Sequence, residues 1–254
     1  FMRVAVWLGM KRGIDSIKKA YDLLSLGKCT FGSPTMYGCG CSGSSNLASC
    51  FLMTIESDSM PGICSTISDC AITSQSGGGL GVAISNLRCN GASISGGGSA
   101  RGVVPVMGVL GKMLQYADQR DMRPGNSAVY LEVWHADLLD VLKFLKISGV
   151  EFNNNRNIFP ALWICDEFMR RIKTGGMWSL MCPSECPDLM DLHGDAFTAR
   201  YLEYESKGIY TRQVPIFDIL DMICRSNSET GLPYLCFKDT ANRHNSQSHL
   251  GTLY

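Results

Sequence analysis

Apolar positions along this chain recur in two rhythms. Short continuous runs at Cys50 to Ile55, Leu80 to Ile84, Ser127 to Trp134, Ala161 to Ile164, Trp178 to Met181 and Pro233 to Phe237 predict buried strands. Helical spacing fills most of the intervals. Residues 11–26 carry Ile14, Ile17, Tyr21 and Leu24 on one side, and residues 59–75 carry Ile63, Ile67, Cys70 and Ala71. Pro105 suits the first turn of a helix whose apolar side is Val106, Val109, Leu110, Met113, Leu114 and Ala117. Further helices are predicted at Leu138 to Leu145, at Asp166 to Lys173 with Asp166 as its cap, at 188–206, and at 216–226 opened by Pro215. A polar tail from Lys238 to His249 follows the last strand. Strands alternating with helices over the whole length predict an α/β fold with a largely parallel sheet. No linker, repeat or charge block divides the chain, so it reads as one domain or part of one.

The breaks are rich in glycine: Gly38 to Ser45, Gly77 to Gly79, and Asn90 to Gly102. A polar loop runs from Asp118 to Gly125. With 254 residues, 45% of them hydrophobic and 18% charged, the chain can build a large core, which excludes disordered and coiled-coil classes. Lys+Arg and Asp+Glu both number 23, so net charge gives no grip on nucleic acid or an anionic membrane. A small anion held by a few local donors remains compatible. No apolar run approaches the ~20 residues of a membrane helix. The 12 cysteines fall mostly inside apolar periodic segments, which suits reduced thiols packed in an intracellular protein. Phe1 to Val4 lacks the features of a secretory leader, and Phe1 lies inside an apolar-periodic stretch. The chain is therefore expected to be part of something longer.

Several chemistries fail on spacing. Gly111-Lys112 is followed by Met113 and has Val106 where a phosphate loop needs its first glycine. Gly79-Leu80-Gly81 precedes its strand, and Ile84 occupies the third glycine of a dinucleotide fingerprint. Cys39-x-Cys41 and Cys182-x₃-Cys186 find no second pair of ligands among the scattered His135, His193, His244 and His249, so no metal site is expected. No Gly-x-Ser-x-Gly elbow is present. His135 at a strand end reads as a structural hydrogen-bonding residue. Asp58-Ser59 reads first as an ordinary helix cap, or else as a carboxylate and helix amides that receive a polar ligand. Gly77 to Gly79 and Gly96 to Gly98 either cradle an anion or form tight turns.

Longer motifs say more. Asn46-Leu47-Ala48-Ser49-Cys50-Phe51-Leu52 resembles the large subunit of class I ribonucleotide reductase, of the eukaryotic and viral type. Ser33-Pro34-Thr35, Gly77 to Val82, Arg123-Pro124-Gly125, Tyr130 to His135, Ala161 to Ile164, Trp178 to Pro183 and Thr230 to Thr252 continue the resemblance in order. It implies the first half of a ten-stranded α/β barrel built from two five-stranded halves, with residues 1–254 as part of the catalytic domain. It implies reduction of ribonucleoside diphosphates by thiyl-radical chemistry in the cytoplasm. Cys50 matches one of two thiols that reduce the 2′ position and become a disulfide, a role that needs an accessible thiol. Ser33, Ser49, Gly78 and Arg123 match positions that meet the substrate. Asp58, Ser59, Met60, Gln75, Arg88, Ser95, Gly96 and Gln119 match the site for a deoxynucleoside triphosphate or ATP effector at a dimer interface. Asp58 would accept from the deoxyribose hydroxyl and Arg88 would pair with phosphate. The resemblance also implies a homodimer, a radical-generating small subunit that holds the metal, and a thioredoxin- or glutaredoxin-type reductant. No cofactor is expected to be bound by this chain itself.

The chain also departs from the family. Arg120-Asp121-Met122 replaces a Gly-Gly pair and a Lys, in a loop one residue shorter, so base selection is expected to change or weaken. Gln75 stands where relatives carry a phosphate-pairing Lys, and Val133 replaces a Pro. The radical-cysteine motif, which follows the Leu-Gly-Thr segment in the family, is missing before Tyr254, and so is the N-terminal ATP cone. This polypeptide alone is therefore expected to be inactive. The alternative is a non-catalytic homologue that keeps a nucleotide- or protein-binding surface.

Overall fold

The computed structural model describes residues 1–41, 46–117, 125–144 and 157–254. Its strands are β1 (Cys50–Thr54), β2 (Gly79–Ala83), β3 (Ser127–Glu132), β4 (Ile158–Ile164), β5 (Met177–Leu180), β6 (Arg212–Pro215) and β7 (Tyr234–Phe237). The helices are α1 (Met2–Gly9), α2 (Ile14–Ser25), α3 (Ser33–Gly38), α4 (Met60–Gln75), α5 (Val103–Tyr116), α6 (Leu138–Phe144), α7 (Asp166–Thr174), α8 (Gly194–Ser206), α9 (Ile216–Thr230) and α10 (Lys238–Arg243). Among the described residues, five strands form a sheet in the order β1-β2-β3-β4-β7, and every pair is parallel. This is the expected α/β arrangement, and it has the strand number of a half-barrel. The strands β5 and β6 form a separate antiparallel ribbon. The β6 strand has no counterpart in the sequence reading, because Arg212-Gln213 interrupts its apolar pattern.

The two faces of the large sheet differ. Leu80, Val82, Val129, Leu131, Leu162 and Ile164 share one face and merge with Met107, Leu110, Leu114 and Leu138 of the helices into a single core. Strands this uniformly apolar are what a helix-covered parallel sheet requires. On the opposite face the register aligns Leu52, Gly81, Ala128 and Phe159 in one row, and Ala83, Tyr130, Ala161 and Tyr234 in the next. Small residues at the centre let aromatics lie across it. A Cβ on Gly81 would stand 2.7 Å from Leu52 and 2.9 Å from the Tyr130 ring. Tyr130 stacks on Trp163 with centroids 5.7 Å apart, and Phe159 on Tyr234 at 6.4 Å.

Several sequence expectations need correcting. The α5 helix buries Val103, Met107, Leu110, Gly111 and Leu114, whereas Val109 is 55% exposed and Met113 36%. The helix is apolar nearly all round, so periodicity alone could not say which side faces the sheet. Asp166 does not cap α7: Cys165 holds the cap position without a side-chain bond, and Asp239 supplies the carboxylate. The segment 188–206 begins as a 3₁₀ turn at Leu189–Asp191, and α8 starts only at Gly194. The polar tail is not solvated at its root. Lys238 and Glu132 are both fully buried and form an ion pair, and Lys238 also donates to the Met190 carbonyl at 2.6 Å. Leu145, at the end of the predicted fourth helix, lies outside the described residues.

Candidate functional site

Candidate residues gather at the two opposite ends of β1 and β2. At the leading end, Cys50 opens β1 opposite Gly79, is solvent-exposed, and lies with its Sγ 3.4 Å from the Ser49 Oγ. The segment before it is held from two sides. Thr35 donates its hydroxyl to the Leu47 carbonyl at 2.8 Å, and the Gly79 amide donates to the Ser49 carbonyl at 2.7 Å. The start of α3 closes on the same place: a Cβ on Gly32 would stand 3.2 Å from the Ser49 Cβ. Exposed Ser33 follows directly. Just before β2, on the α4 side of the sheet, a Cβ on Gly78 would fall 2.8 Å from the Phe51 ring and from the Thr73 methyl, so only glycine fits. Gly77 turns at φ +94°, a conformation that favours glycine. Cys50, Ser49 and Ser33 therefore come together as a thiol and two hydroxyls, while Gly78 lets the turn before β2 pack closely on Phe51 and α4 behind them.

The trailing end carries the other set. Ser59 caps α4 by accepting the Gly62 amide at 3.2 Å, as the spacing predicts. Beside it, Asp58 Oδ2 accepts from the Arg88 Nε at 2.5 Å, and Arg88 Nη1 donates to the Ser93 carbonyl at 2.9 Å. Arg88 thus joins the α4 cap to the loop that holds Ser95 and Gly96, both exposed. Each of its terminal nitrogens keeps a further N–H for an anion. Met60 is 70% exposed at the same end. Gly96, Gly97 and Gly98 all have positive φ, at 91°, 94° and 102°, so the loop tip leaves its backbone open to approach.

What fixes this loop lay outside the sequence reading. Asp137 accepts the Asn90 amide at 2.9 Å and the Val103 amide at 3.0 Å, which clamps both ends of the loop. A Cβ on Gly102 would collide with that carboxylate. His135 in turn accepts the Asp137 amide at Nδ1, 3.0 Å away, so its Nε2–H donates to the Leu87 carbonyl at 2.8 Å. Burial lowers the pKa of this ring, with the Leu87 bond acting against it, which suits the neutral form. The structural reading of His135 holds. A lone Asp after a strand gave no signal for the role of Asp137.

Other candidates are not gathered in. Gln75 ends α4, a helix of 16 residues and so about 24 Å long. It lies with Cys50 and Gly78, at the end of the helix remote from Asp58. Gln119 and Arg123, with Arg120 to Met122 between them, lie outside the described residues. Among the described residues, no group of three or more His, Cys, Asp or Glu side chains could hold a metal ion. No helix among them is long and apolar enough to cross a membrane.

Comparison with known proteins bears on the family of the chain. The family described as "Ribonucleotide reductase, barrel domain" matches residues 48–254. The chain is 41% identical over 254 residues to the ribonucleoside-diphosphate reductase large subunit of Danio rerio, covering 99% of this chain and 32% of that protein. The large subunits of Arabidopsis thaliana and of vaccinia virus (strain Copenhagen) are each 41% identical over 99% of this chain, which covers 31% and 33% of them respectively. The chain thus spans about a third of the length of the curated relatives it matches.

Proposed function

Because the chain belongs to the ribonucleotide reductase barrel-domain family, we propose that the polypeptide carrying it reduces ribonucleoside diphosphates to 2′-deoxyribonucleoside diphosphates, with residues 1–254 as part of its catalytic domain. The observation that carries this reading is the exposed Cys50 thiol at the start of β1, beside Ser49 and next to the segment that carries Ser33. A bulky anionic sugar needs that access. Cys50 gives up its thiol hydrogen together with a second thiol. The substrate loses its 2′ hydroxyl as water and gains hydrogen at that carbon, and the two sulfurs become a disulfide. Ser49 and Ser33 offer hydroxyls to the ribose and diphosphate, and Arg123 offers a guanidinium. The radical that starts this chemistry is supplied in the family by a metal-containing small subunit. A thioredoxin- or glutaredoxin-type dithiol then returns Cys50 to its thiol in a cytoplasmic setting.

The trailing end suits a deoxynucleoside triphosphate effector. Asp58 and Arg88 supply a carboxylate for a sugar hydroxyl and a guanidinium for phosphate, and Ser59, Met60, Ser95 and Gly96 surround them. Gln75 can reach the same ligand only from a second copy of the chain, because it ends the helix that Ser59 begins. The exposed Ile72, Val109, Met113 and Tyr116 on α4 and α5 favour such a pairing. Gln119 would link this ligand to the substrate end.

The test is Cys50→Ser in the full-length polypeptide, assayed with its small subunit. Ribonucleoside-diphosphate reduction should fall by at least about a thousandfold, and a dithiol reductant should not rescue it. Undiminished turnover by the variant would reject the role. Nucleotide binding by an unsubstituted polypeptide that never turns over would favour the non-catalytic homologue suggested by Gln75 and Arg120 to Met122.

A further inference from the structure

Cys89 and Cys182 lie 93 residues apart in sequence, one after Arg88 and the other just past β5. The fold brings them together, with Ala136 and Ala92, in a small cluster separate from the main core. The Cys89 amide donates to the Cys182 sulfur at 3.3 Å, which sets that sulfur directly against the Cys89 residue. The Ser184 hydroxyl lies 3.1 Å from the same sulfur. Neither cysteine belongs to the site built around Cys50.

We propose that Cys89 and Cys182 form a reversible disulfide, a second redox site of this chain that works independently of Cys50. Two other buried thiols are placed differently. Cys70 and Cys186 face the methionine sulfurs of Met53 and Met181. Burial pushes the thiols of both up to about 12. Cys182 goes the other way: the Cys89 hydrogen bond lowers it against the opposing effect of burial, and Ser184 adds to the lowering. Cys89 is correspondingly raised, first by its bond to Cys182 and then by burial. One sulfur is therefore held as the nucleophile, and a thiol waits beside it to resolve the product.

Both residues are almost completely buried, at 4% and 3% exposure, so the oxidant must be small. Hydrogen peroxide fits. The Cys182 thiolate attacks one peroxide oxygen, the O–O bond breaks, and the leaving hydroxide takes a proton to become water. Cys89 then attacks the sulfenic sulfur, the S–S bond forms, and a second water leaves. Two thiols are oxidised by two electrons, and one peroxide is reduced to two waters. A small dithiol reverses the change.

The experiment treats the reduced full-length polypeptide with stoichiometric hydrogen peroxide, quenches it with acid, alkylates it under denaturing conditions and maps its peptides by mass spectrometry. The expected product is a cross-linked peptide joining Cys89 to Cys182, lighter by two hydrogens and lost on treatment with dithiothreitol. The free Cys182 thiol should disappear at least about tenfold faster than that of Cys70 or Cys186. In Cys89→Ala, a substitution that suits the alanine-lined cluster, dimedone should trap a sulfenic acid at Cys182. Recovery of both cysteines as alkylated free thiols, at a dose that oxidises Cys50, would overturn the proposal. So would a cross-link from Cys182 to any other cysteine. The cross-link is read in the unsubstituted protein and does not depend on a variant folding.

Discussion

Asp58 and Arg88 form an ion pair whose weight in folding can be separated from its weight in the proposed effector binding. Their side chains are 25% and 26% exposed, so solvent screens the pair. Replacing either with Ala should change stability by less than about 1 kcal/mol, measured by urea denaturation. Binding is another matter, because a charge-assisted hydrogen bond to a ligand contributes about 1.5–3 kcal/mol. Asp58→Ala and Arg88→Ala should each weaken deoxynucleoside triphosphate binding by roughly 10- to 100-fold in titration calorimetry. If both variants keep full affinity, the effector binds elsewhere. Asp58 and Arg88 were legible as candidates only through the family resemblance, since neither lies inside one of its contiguous motifs. Asp137, which clamps the neighbouring loop, was not: its partners Asn90 and Val103 lie 47 and 34 positions away, and no local pattern carries such a contact. Thr35 is an intermediate case. Its motif was visible, yet its bond to the Leu47 carbonyl needed coordinates.

At the level of elements, most strands and helices followed from periodicity, while their caps and buried faces depended on distant residues. The α7 and α8 helices both start without a side-chain cap of their own. Asp239, 2% exposed, serves both: its Oδ2 accepts the Asp166 amide at 2.5 Å, and its Oδ1 accepts the Gly194 amide at 2.6 Å. One carboxylate thus neutralises the positive ends of two helices. Asp239→Ala removes both caps and leaves two amides without their carboxylate, at a cost of about 2–4 kcal/mol. Asp239→Asn, which keeps one acceptor oxygen, should lie between that variant and the unsubstituted protein. Equilibrium urea unfolding checks the order, and an Ala variant as stable as the original would show that the caps are replaceable. Sequence pointed to Asp166 instead because an Asp before a helical run is a local signal. The true cap is 73 residues away, in a segment whose polar composition resembles a solvated tail. The same segment hides Lys238, whose buried partner Glu132 is 106 positions distant.

At the scale of the molecule, among the described residues, the sheet has strands paired on one side only at β1 and β7. All-parallel sheets are stable when both faces are covered, and here one face carries the small-residue rows and their aromatics. Leu52 on β1 is 70% exposed, and Tyr234, Leu235 and Phe237 on β7 are each nearly half exposed. Unpaired backbone beside exposed apolar side chains is a template for a further strand. The barrel family supplies a second five-stranded half for that purpose, so residues 1–254 expressed alone should self-associate as concentration rises. Light scattering coupled to size-exclusion chromatography reads this directly. Leu52→Lys and Leu235→Lys place a charge at each edge and should each reduce the association, and the pair together should reduce it further. Adding the second half on the same polypeptide should suppress it without either substitution. An isolated chain that stays monomeric at about 100 μM, well within the range where exposed edges aggregate, would mean that these edges are already guarded. The exposed residues would then be a surface of this unit and not the seam of a larger barrel.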